Sequence, residues 1–283
     1  MLGTPIINAD SRQIYKDIPI GTAAPTAEQM QRVRHYFVGT LALDEYYSAA
    51  EYERQVWELL PTLYETKPYA LLTGGSMLYI DAVCHGIDDI PTVEPETRTM
   101  MRQRLKDEGL ERLCAELRLL DPTYYAKADL HNTQRIVHAL EICYQTGRPY
   151  SSFLTKARAV QGFKSLRDSR VDIIKIGLQR ERADLFDRIN RRTVQMVEQG
   201  FVEEARRVYP LRHLNSLNTV GYKEMFRYIS GEWTLEQAVE KIQRNTRVYA
   251  KKQMTWFKRD ESIHWFHADE GDNVLEFIKC SSV

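Results

Sequence analysis

Apolar positions along the chain fall into runs of two kinds. Pro5-Ile6-Ile7-Asn8 is a short continuous run that ends at Asp10, and it predicts a buried strand. A turn-rich stretch follows from Asp17 to Pro25. Ser48-Ala49-Ala50-Glu51 has the spacing of a capping box, and Tyr52, Val56, Leu59, Leu60 and Leu63 then recur at helical period, so an amphipathic helix is predicted there. Tyr69-Ala70-Leu71-Leu72-Thr73 is a second continuous apolar run, stopped by Gly74-Gly75, with a new helix from Met77. Strand, helix, strand, glycine turn and helix in that order predict a parallel α/β sheet.

Beyond Gly86 the pattern changes. Residues 87–97 hold Asp88, Asp89, Glu94 and Glu96 with no basic residue, and only helices are predicted from there to about residue 147. They cover Glu96–Lys106, Leu110–Leu120 and Thr133–Thr146. The last places Ile136, Val137, Leu140 and Cys143 on one face and has Gly147 as its stop. Val171–Gly177 reads as a returning strand, followed by long helices over 181–199, 201–209 and 234–258 and a strand at Ser262–Phe266. The expected organisation is a catalytic core over 1–91 and 166–283, interrupted by a helical insertion over 92–165.

Composition narrows the class. A length of 283 residues with 43% hydrophobic positions supplies ample core, and 39 basic side chains balance 39 acidic ones. That balance excludes a protein that coats nucleic acid by net charge alone, and the hydrophobic content excludes a disordered tail. No run reaches the ~18 apolar residues of a membrane span. Met1-Leu2-Gly3-Thr4-Pro5 resembles neither a charged leader nor a signal segment, and Cys84, Cys114, Cys143 and Cys280 are too scattered for a zinc knuckle or a disulfide framework. A reduced, cytoplasmic protein is expected.

Three places carry candidate chemistry. Asp10, at the end of a parallel strand and followed by Ser11, Gln13 and Tyr15, can serve as a general base, hold magnesium through water, or simply cap a turn. Ser76, after two glycines and near a helix N-terminus, lies on the same sheet edge; a ligand contact and a plain serine cap fit its spacing equally. The third is a basic stripe: between Lys241 and Arg259 stand seven cations and no acidic residue. Arg244, Arg247 and Lys251 share a helix face, with Tyr249, Trp256 and Phe257 interleaved. Such a face suits phosphates and bases, since a merely solvated helix usually alternates sign. Arg188, Arg191 and Arg192 form a second cationic group. His264 and His267 lack partner ligands, and no metal site is expected from protein side chains alone; Met100 and Met101 read as core filler.

These residues match a family. Asp10-Ser11-Arg12-Gln13-Ile14-Tyr15, Ile20-Gly21-Thr22-Ala23 with Pro25, and Gly74-Gly75-Ser76-Met77-Leu78-Tyr79 resemble the tRNA dimethylallyltransferases. So do the run from Asn132 to Glu141, Val220-Gly221-Tyr222, and Ala250-Lys251-Lys252-Gln253-Met254-Thr255-Trp256-Phe257. The six blocks keep the family's order and span nearly the whole chain. The resemblance implies an α/β, P-loop NTPase-like parallel sheet core with a helical insertion domain. It also implies transfer of a dimethylallyl group from dimethylallyl diphosphate, with Mg2+, to the N6 amine of adenosine at tRNA position 37. By the same match Asp10 is the base, Ser76 stands where the family usually has threonine, and Arg192 contacts the diphosphate. Contact with the tRNA anticodon stem-loop falls to Asp10, Ser11, Arg12, Gln13 and Ser76, to Arg98, and to Gln134, Arg135, Ile136, Val137 and His138. Leu217, Asn218, Thr219, Val220, Gly221 and Tyr222 complete the match, and the stripe of Arg244, Arg247 and Lys251 adds to the RNA grip. The target base is expected to flip out of its stack, and a monomer is the expected state.

The chain also departs from the family. The family opens with a strand and a G-x-x-x-x-G-K-[ST] loop whose amides cradle the diphosphate, and the sequence has no such motif. Met1 falls where the second strand is expected, which makes a shortened form of a longer product the expected origin. His138 stands where arginine is more usual. Against the transferase stand two other classes: a non-catalytic tRNA-binding protein, which the missing loop favours, and a small-molecule kinase, which the tRNA-type blocks oppose.

Overall fold

The computed structural model describes residues 2–88, 90–154 and 171–281. Its first strands are short and parallel: β1 (Ile6–Asn8), β2 (His35–Tyr36) and β3 (Leu71–Thr73), in the order β2-β1-β3. The register sets Ile6 against Leu71, Ile7 against Leu72 and Asn8 against Thr73. Helices α1 (Ala27–Arg32) and α2 (Ala49–Tyr64) run between the strands, and α3 (Met77–His85) follows β3. In α2 the predicted apolar face is the one buried: Tyr52, Val56, Leu60 and Leu63 are all under a tenth exposed, each worth ~1.5–3 kcal/mol against exposure. Only half of the expected capping box forms. Ser48 Oγ accepts from the Glu51 N–H (3.1 Å), whereas the Glu51 carboxylate is drawn to Arg54 and Gln55 on its own helix instead of returning to the cap.

Next come α4 (Pro95–Leu120), α5 (Pro122–Tyr125) and α6 (Thr133–Thr146). The two helices expected over 96–120 run on as α4, broken at Gly109, whose φ of 79° lies outside helical space. Asn132 Oδ1 caps α6 by accepting from the Arg135 N–H (3.2 Å), and Gly147 ends it in a left-handed conformation. Met101, Leu113 and Leu117 of α4 and Ile136, Val137 and Leu140 of α6 form one buried cluster. Met101 is fully buried there, while Met100 is exposed. Residues 155–170, including the end of the expected insertion, lie outside the described residues.

The last segment holds β4 (Ile176–Gln179), α7 (Arg182–Glu198), α8 (Phe201–Val208), α9 (Tyr222–Ile229), α10 (Leu235–Phe257), β5 (His264–His267) and α11 (Gly271–Ser281). Strands β4 and β5 pair in parallel as a separate sheet, so the described strands form two sheets rather than one. Leu71 in β3 and Leu178 in β4 are exposed. The strand expected at Val171–Gly177 begins later because its partner does. Residues before His264 are held in a turn, with Ile263 N–H on Asp260 O (3.3 Å), and the ladder opens with His264 N–H on Lys175 O (2.9 Å).

The described residues fall into two compact units, one within Met1–Cys84 and Leu166–Val283, the other within His85–Ser165. The core of the first unites the segment just beyond β1 (Ile14, Tyr15, Ile18) with α7–α10, notably Met196, Phe201, Leu217, Tyr222, Met225 and Ile242. The chain after Asp10 is thus anchored by helices that come some two hundred residues later.

An ion pair fastens the start of the second sheet. Lys175 Nζ lies 2.7 Å from Asp260 Oδ2, and Ser262 donates to Oδ1 through both N–H and Oγ. Burial alone would raise the Asp260 carboxyl; the hydrogen bonds from Lys175 and Ser262 outweigh it and bring the pKa from 3.8 down to about 2. A depressed carboxylate adds stability above its unfolded value and loses it as pH falls through the folded one. Between roughly pH 4 and 2 this group should therefore cost the protein about 2 kcal/mol. Acid-unfolding curves of the wild type and Asp260→Asn check this: the variant should lack that part of the decline, and an identical acid limb refutes it.

Candidate functional site

Because β1 and β3 are adjacent and parallel, their carboxyl ends lie side by side, the edge where open α/β sheets take ligands. Asp10 lies just beyond β1 and Ser76 just beyond β3. The two turns are stitched together. Ala9 N–H donates to Thr73 O (2.7 Å), Ser76 N–H to Ala9 O (3.1 Å) and Ser11 N–H to Ser76 Oγ (2.8 Å). The Ser76 hydroxyl in turn donates to Ser11 Oγ (3.1 Å). This closeness depends on Gly74: a Cβ there would lie 2.4 Å from both the carbonyl carbon and oxygen of Ala9.

The Asp10 carboxylate uses one oxygen locally. Oδ1 accepts from the N–H groups of Arg12 (2.8 Å) and Gln13 (3.3 Å), the turn-capping role. Oδ2 takes no hydrogen bond from the described residues, so the same side chain keeps a free lone pair for a ligand proton. Arg192 of α7 is close enough to feel its charge. Partial desolvation lowers the guanidinium's pKa, and the negative charge of Asp10 opposes that shift.

The other matched residues divide by burial. Arg12 Nη1 donates to Asn215 O and Ser216 O, both at 3.2 Å, which ties the Asp10 turn to the segment leading into Leu217–Tyr222. Leu217 and Tyr222 are completely buried, while Asn218 is exposed. In α6, Ile136 and Val137 belong to the apolar cluster, whereas Gln134 and Arg135 are exposed and His138 Nδ1 lies 3.3 Å from Glu141 Oε2. Arg98 stands on α4 in the same unit as α6. On α10, Arg244 and Lys251 are exposed, but Arg247 is drawn inward to Asn190 Oδ1 (2.5 Å) on α7. Arg182, Arg247 and Lys251 all lie within 6 Å of the Phe186 ring.

Two residues of α10 gain a place beside these turns that spacing alone does not single out. Gln253 Nε2 donates to Gly75 O (2.7 Å) and so docks α10 on the β3–α3 turn; Trp256 Nε1 adds a bond to Asp81 Oδ2 (3.0 Å). One turn before Gln253 stands Tyr249. Its phenol is raised by burial and further by the charge of Asp10, with Arg12 opposing. The signal in the sequence was the four-residue spacing of Tyr249 and Gln253 inside the basic stripe, which reads equally well as a solvated face. A cavity of about 670 Å3 opens nearby between β4, α7 and α10, with Leu178, Leu185, Phe186 and Met254 as apolar wall and Arg182, Lys251 and Lys258 as cations. Asp10, Ser76 and Arg192 do not line it. Among the described residues no cluster of three or more His, Cys, Asp or Glu could hold a metal, and no helix is long and apolar enough to cross a membrane.

The chain is similar to known proteins over nearly its whole length. The IPP transferase family model matches residues 13–260. A tRNA dimethylallyltransferase of Phocaeicola vulgatus is 59% identical over 275 residues, 97% of this chain and 89% of that protein. One from Parabacteroides distasonis is also 59% identical, covering 98% and 90%. Among solved structures, the tRNA isopentenylpyrophosphate transferase of Bacillus halodurans superposes with a TM-score of 0.66 at 32% identity, over 99% of this chain and 88% of that one. A eukaryotic dimethylallyltransferase acting on tRNA reaches 0.77 at 20% identity, over 99% and 74%, a likeness of fold. The fold is accordingly the mixed α/β, P-loop NTPase-like class with small parallel sheets. With a family model spanning most of its length and relatives similar almost end to end, the chain belongs to the IPP transferase family.

Proposed function

We propose that this protein transfers a dimethylallyl group from dimethylallyl diphosphate to the N6 amine of adenosine 37, beside the anticodon of tRNA. The observation that carries this reading is the 59% identity to proteins named tRNA dimethylallyltransferase across nearly the whole chain. The arrangement at the strand ends supports it. An exocyclic adenine amine is a weak nucleophile, so a base that accepts its proton as the new bond forms lowers the barrier. Asp10 offers Oδ2 for that proton while Oδ1 stays fixed by the turn. As the N6–C bond forms, the allylic C–O bond breaks and its electron pair leaves on diphosphate, next to the cation of Arg192. Ser76 holds Ser11 and thereby the Asp10 turn, and its hydroxyl is positioned to turn toward a substrate oxygen. Magnesium fits the same chemistry. The ion commonly binds through one carboxylate, substrate phosphate oxygens and water, and Asp10 would supply the carboxylate. Bound there, it would supply charge for the departing diphosphate.

The test is the mass of tRNA nucleosides after incubation with the protein, magnesium and dimethylallyl diphosphate. Adenosine carrying one dimethylallyl group is the expected result. Bound but unmodified tRNA would overturn the transferase reading in favour of RNA binding alone.

The exposed cations of α10 make a separate prediction. Phosphate contacts give binding that weakens linearly in log–log with salt, at roughly 0.7–0.9 per neutralised phosphate. Removing Arg244 and Lys251 together should lower that slope by roughly 1.5. A tRNA titration across salt concentrations reads it directly, and an unchanged slope would remove these two side chains from the interface.

A further inference from the structure

Glu204 of α8 is a carboxylate at 1% exposure with three donors on it. The N–H groups of Ile20 (2.9 Å) and Gly21 (2.7 Å) and the hydroxyl of Tyr222 (2.5 Å) all point at its two oxygens. Burial raises the Tyr222 phenol and Glu204 raises it further, so the phenol keeps its proton and donates. Close approach is built into the loop. A Cβ on Gly21 would fall 2.4 Å from both Phe201 Cε2 and the Tyr222 hydroxyl, so only glycine admits this contact. The other side of the same loop is held by Gln13, whose Nε2 donates to Thr22 O (3.0 Å) and Ala23 O (3.1 Å). Gln13 N–H in turn reaches Asp10 Oδ1 (3.3 Å). The Ile20–Ala23 loop is therefore clamped between Glu204 and the Asp10 turn, and Tyr222 ends the Leu217–Tyr222 segment on the same carboxylate.

We infer that Glu204 is a positioning residue that keeps two RNA-contacting segments, the Asp10–Ala23 stretch and the Leu217–Tyr222 segment, in register for the substrate tRNA. The inference rests on the tRNA-transferase reading for its partner, but not for its geometry. Burying a carboxylate is costly unless every oxygen is satisfied, and here the satisfying donors come from both segments. A glutamine can keep its oxygen under Gly21 N–H and the Tyr222 hydroxyl only by turning its NH2 group toward Ile20 N–H, so the Ile20–Ala23 loop loses one of its two bonds and loosens against the Leu217–Tyr222 segment.

The full chain would be tested as wild type, Glu204→Gln, Tyr222→Phe and, as control for the same charge change at an exposed neighbour, Glu203→Gln. Glu204→Gln should weaken tRNA binding and raise the KM for tRNA about tenfold, the size of one charge-assisted hydrogen bond. Its kcat should stay within about threefold, and amide exchange at Ile20 and Gly21 should speed up in the folded protein. Tyr222→Phe should shift the same quantities in the same direction by less, and Glu203→Gln should match the wild type. A loss of transfer in Glu204→Gln that only tracks the folded fraction, with KM for tRNA unchanged, overturns the inference. Should that variant not fold, wild-type affinity and exchange in Tyr222→Phe overturn it equally. A wild type that binds tRNA without modifying it refutes the transferase reading instead, and leaves the affinity and exchange comparisons standing.

Discussion

Asp10→Asn should lower dimethylallyl transfer by about 10^2–10^4-fold in kcat, the usual contribution of a positioned general base. The substitution is chosen because it spares the structure. Asparagine keeps a carbonyl oxygen to accept from the Arg12 and Gln13 N–H groups, so the turn holds its shape. What disappears is the free, basic Oδ2 and the negative charge beside Arg192. Affinity for tRNA should change little, because the matched cations and the Leu217–Tyr222 segment are untouched. Single-turnover transfer at saturating tRNA and dimethylallyl diphosphate isolates the chemical step. A variant within threefold of the wild type would reduce Asp10 to the turn cap that its Oδ1 contacts already describe. If the carboxylate acts mainly by holding magnesium, part of the lost rate should return as magnesium is raised. A base gives no such recovery, so the two roles separate in one titration.

What the sequence made legible follows the range of the forces involved. Helices α2 and α6 could be bounded closely because caps and period are local: Ser48 and Asn132 accept at their starts, and Gly147 ends the second. The short helix α9 has too few turns to show a period, and the division of the strands into two sheets is a matter of partners, which no single segment encodes. The same contrast runs through the site. Asp10 and Ser76 stand out because each terminates an apolar run, and chemistry at strand ends is a property of the fold class. Gln253 and Glu204 do not. Gln253 finds Gly75 across 178 residues and Glu204 finds Ile20 across 184, so their roles exist only once the chain is closed. Burial was equally hidden inside matched blocks. Ile136, Val137, Leu217 and Tyr222 turned out to be core side chains, so any RNA contact in those blocks falls to their exposed neighbours and backbone.

The paired glycines Gly74 and Gly75 should respond to alanine very unequally, although they are adjacent. At Gly74 the new methyl meets Ala9 backbone, 2.4 Å from the carbonyl carbon and oxygen and 2.8 Å from Cα, and nothing there can rotate away. Relief requires β1 and the β3–α3 turn to move apart. That movement strains the Ala9–Thr73 and Ser76–Ala9 hydrogen bonds and the Ser11–Ser76 contact that orients the Asp10 turn. Overpacking of this kind costs about 3 kcal/mol, or roughly 5–10 °C in Tm for a domain of this size. Transfer should fall far more than tenfold, because a base displaced by about 1 Å loses its alignment with the amine. At Gly75 the methyl meets only Gln253 Nε2, at 2.2 Å, the free end of a flexible side chain. Gln253 can swing aside at the loss of its bond to Gly75 O, a cost of about 1 kcal/mol. Thermal melting and transfer assays on the two variants decide the point. Gly74→Ala should be the less stable and nearly inactive protein, and Gly75→Ala should keep most of its stability while the docking of α10 loosens. Equal melting temperatures would mean that the β1 and β3 turns are not held as closely as the hydrogen bonds between Ala9, Thr73 and Ser76 require, and the placement of Asp10 against its substrate would need another support.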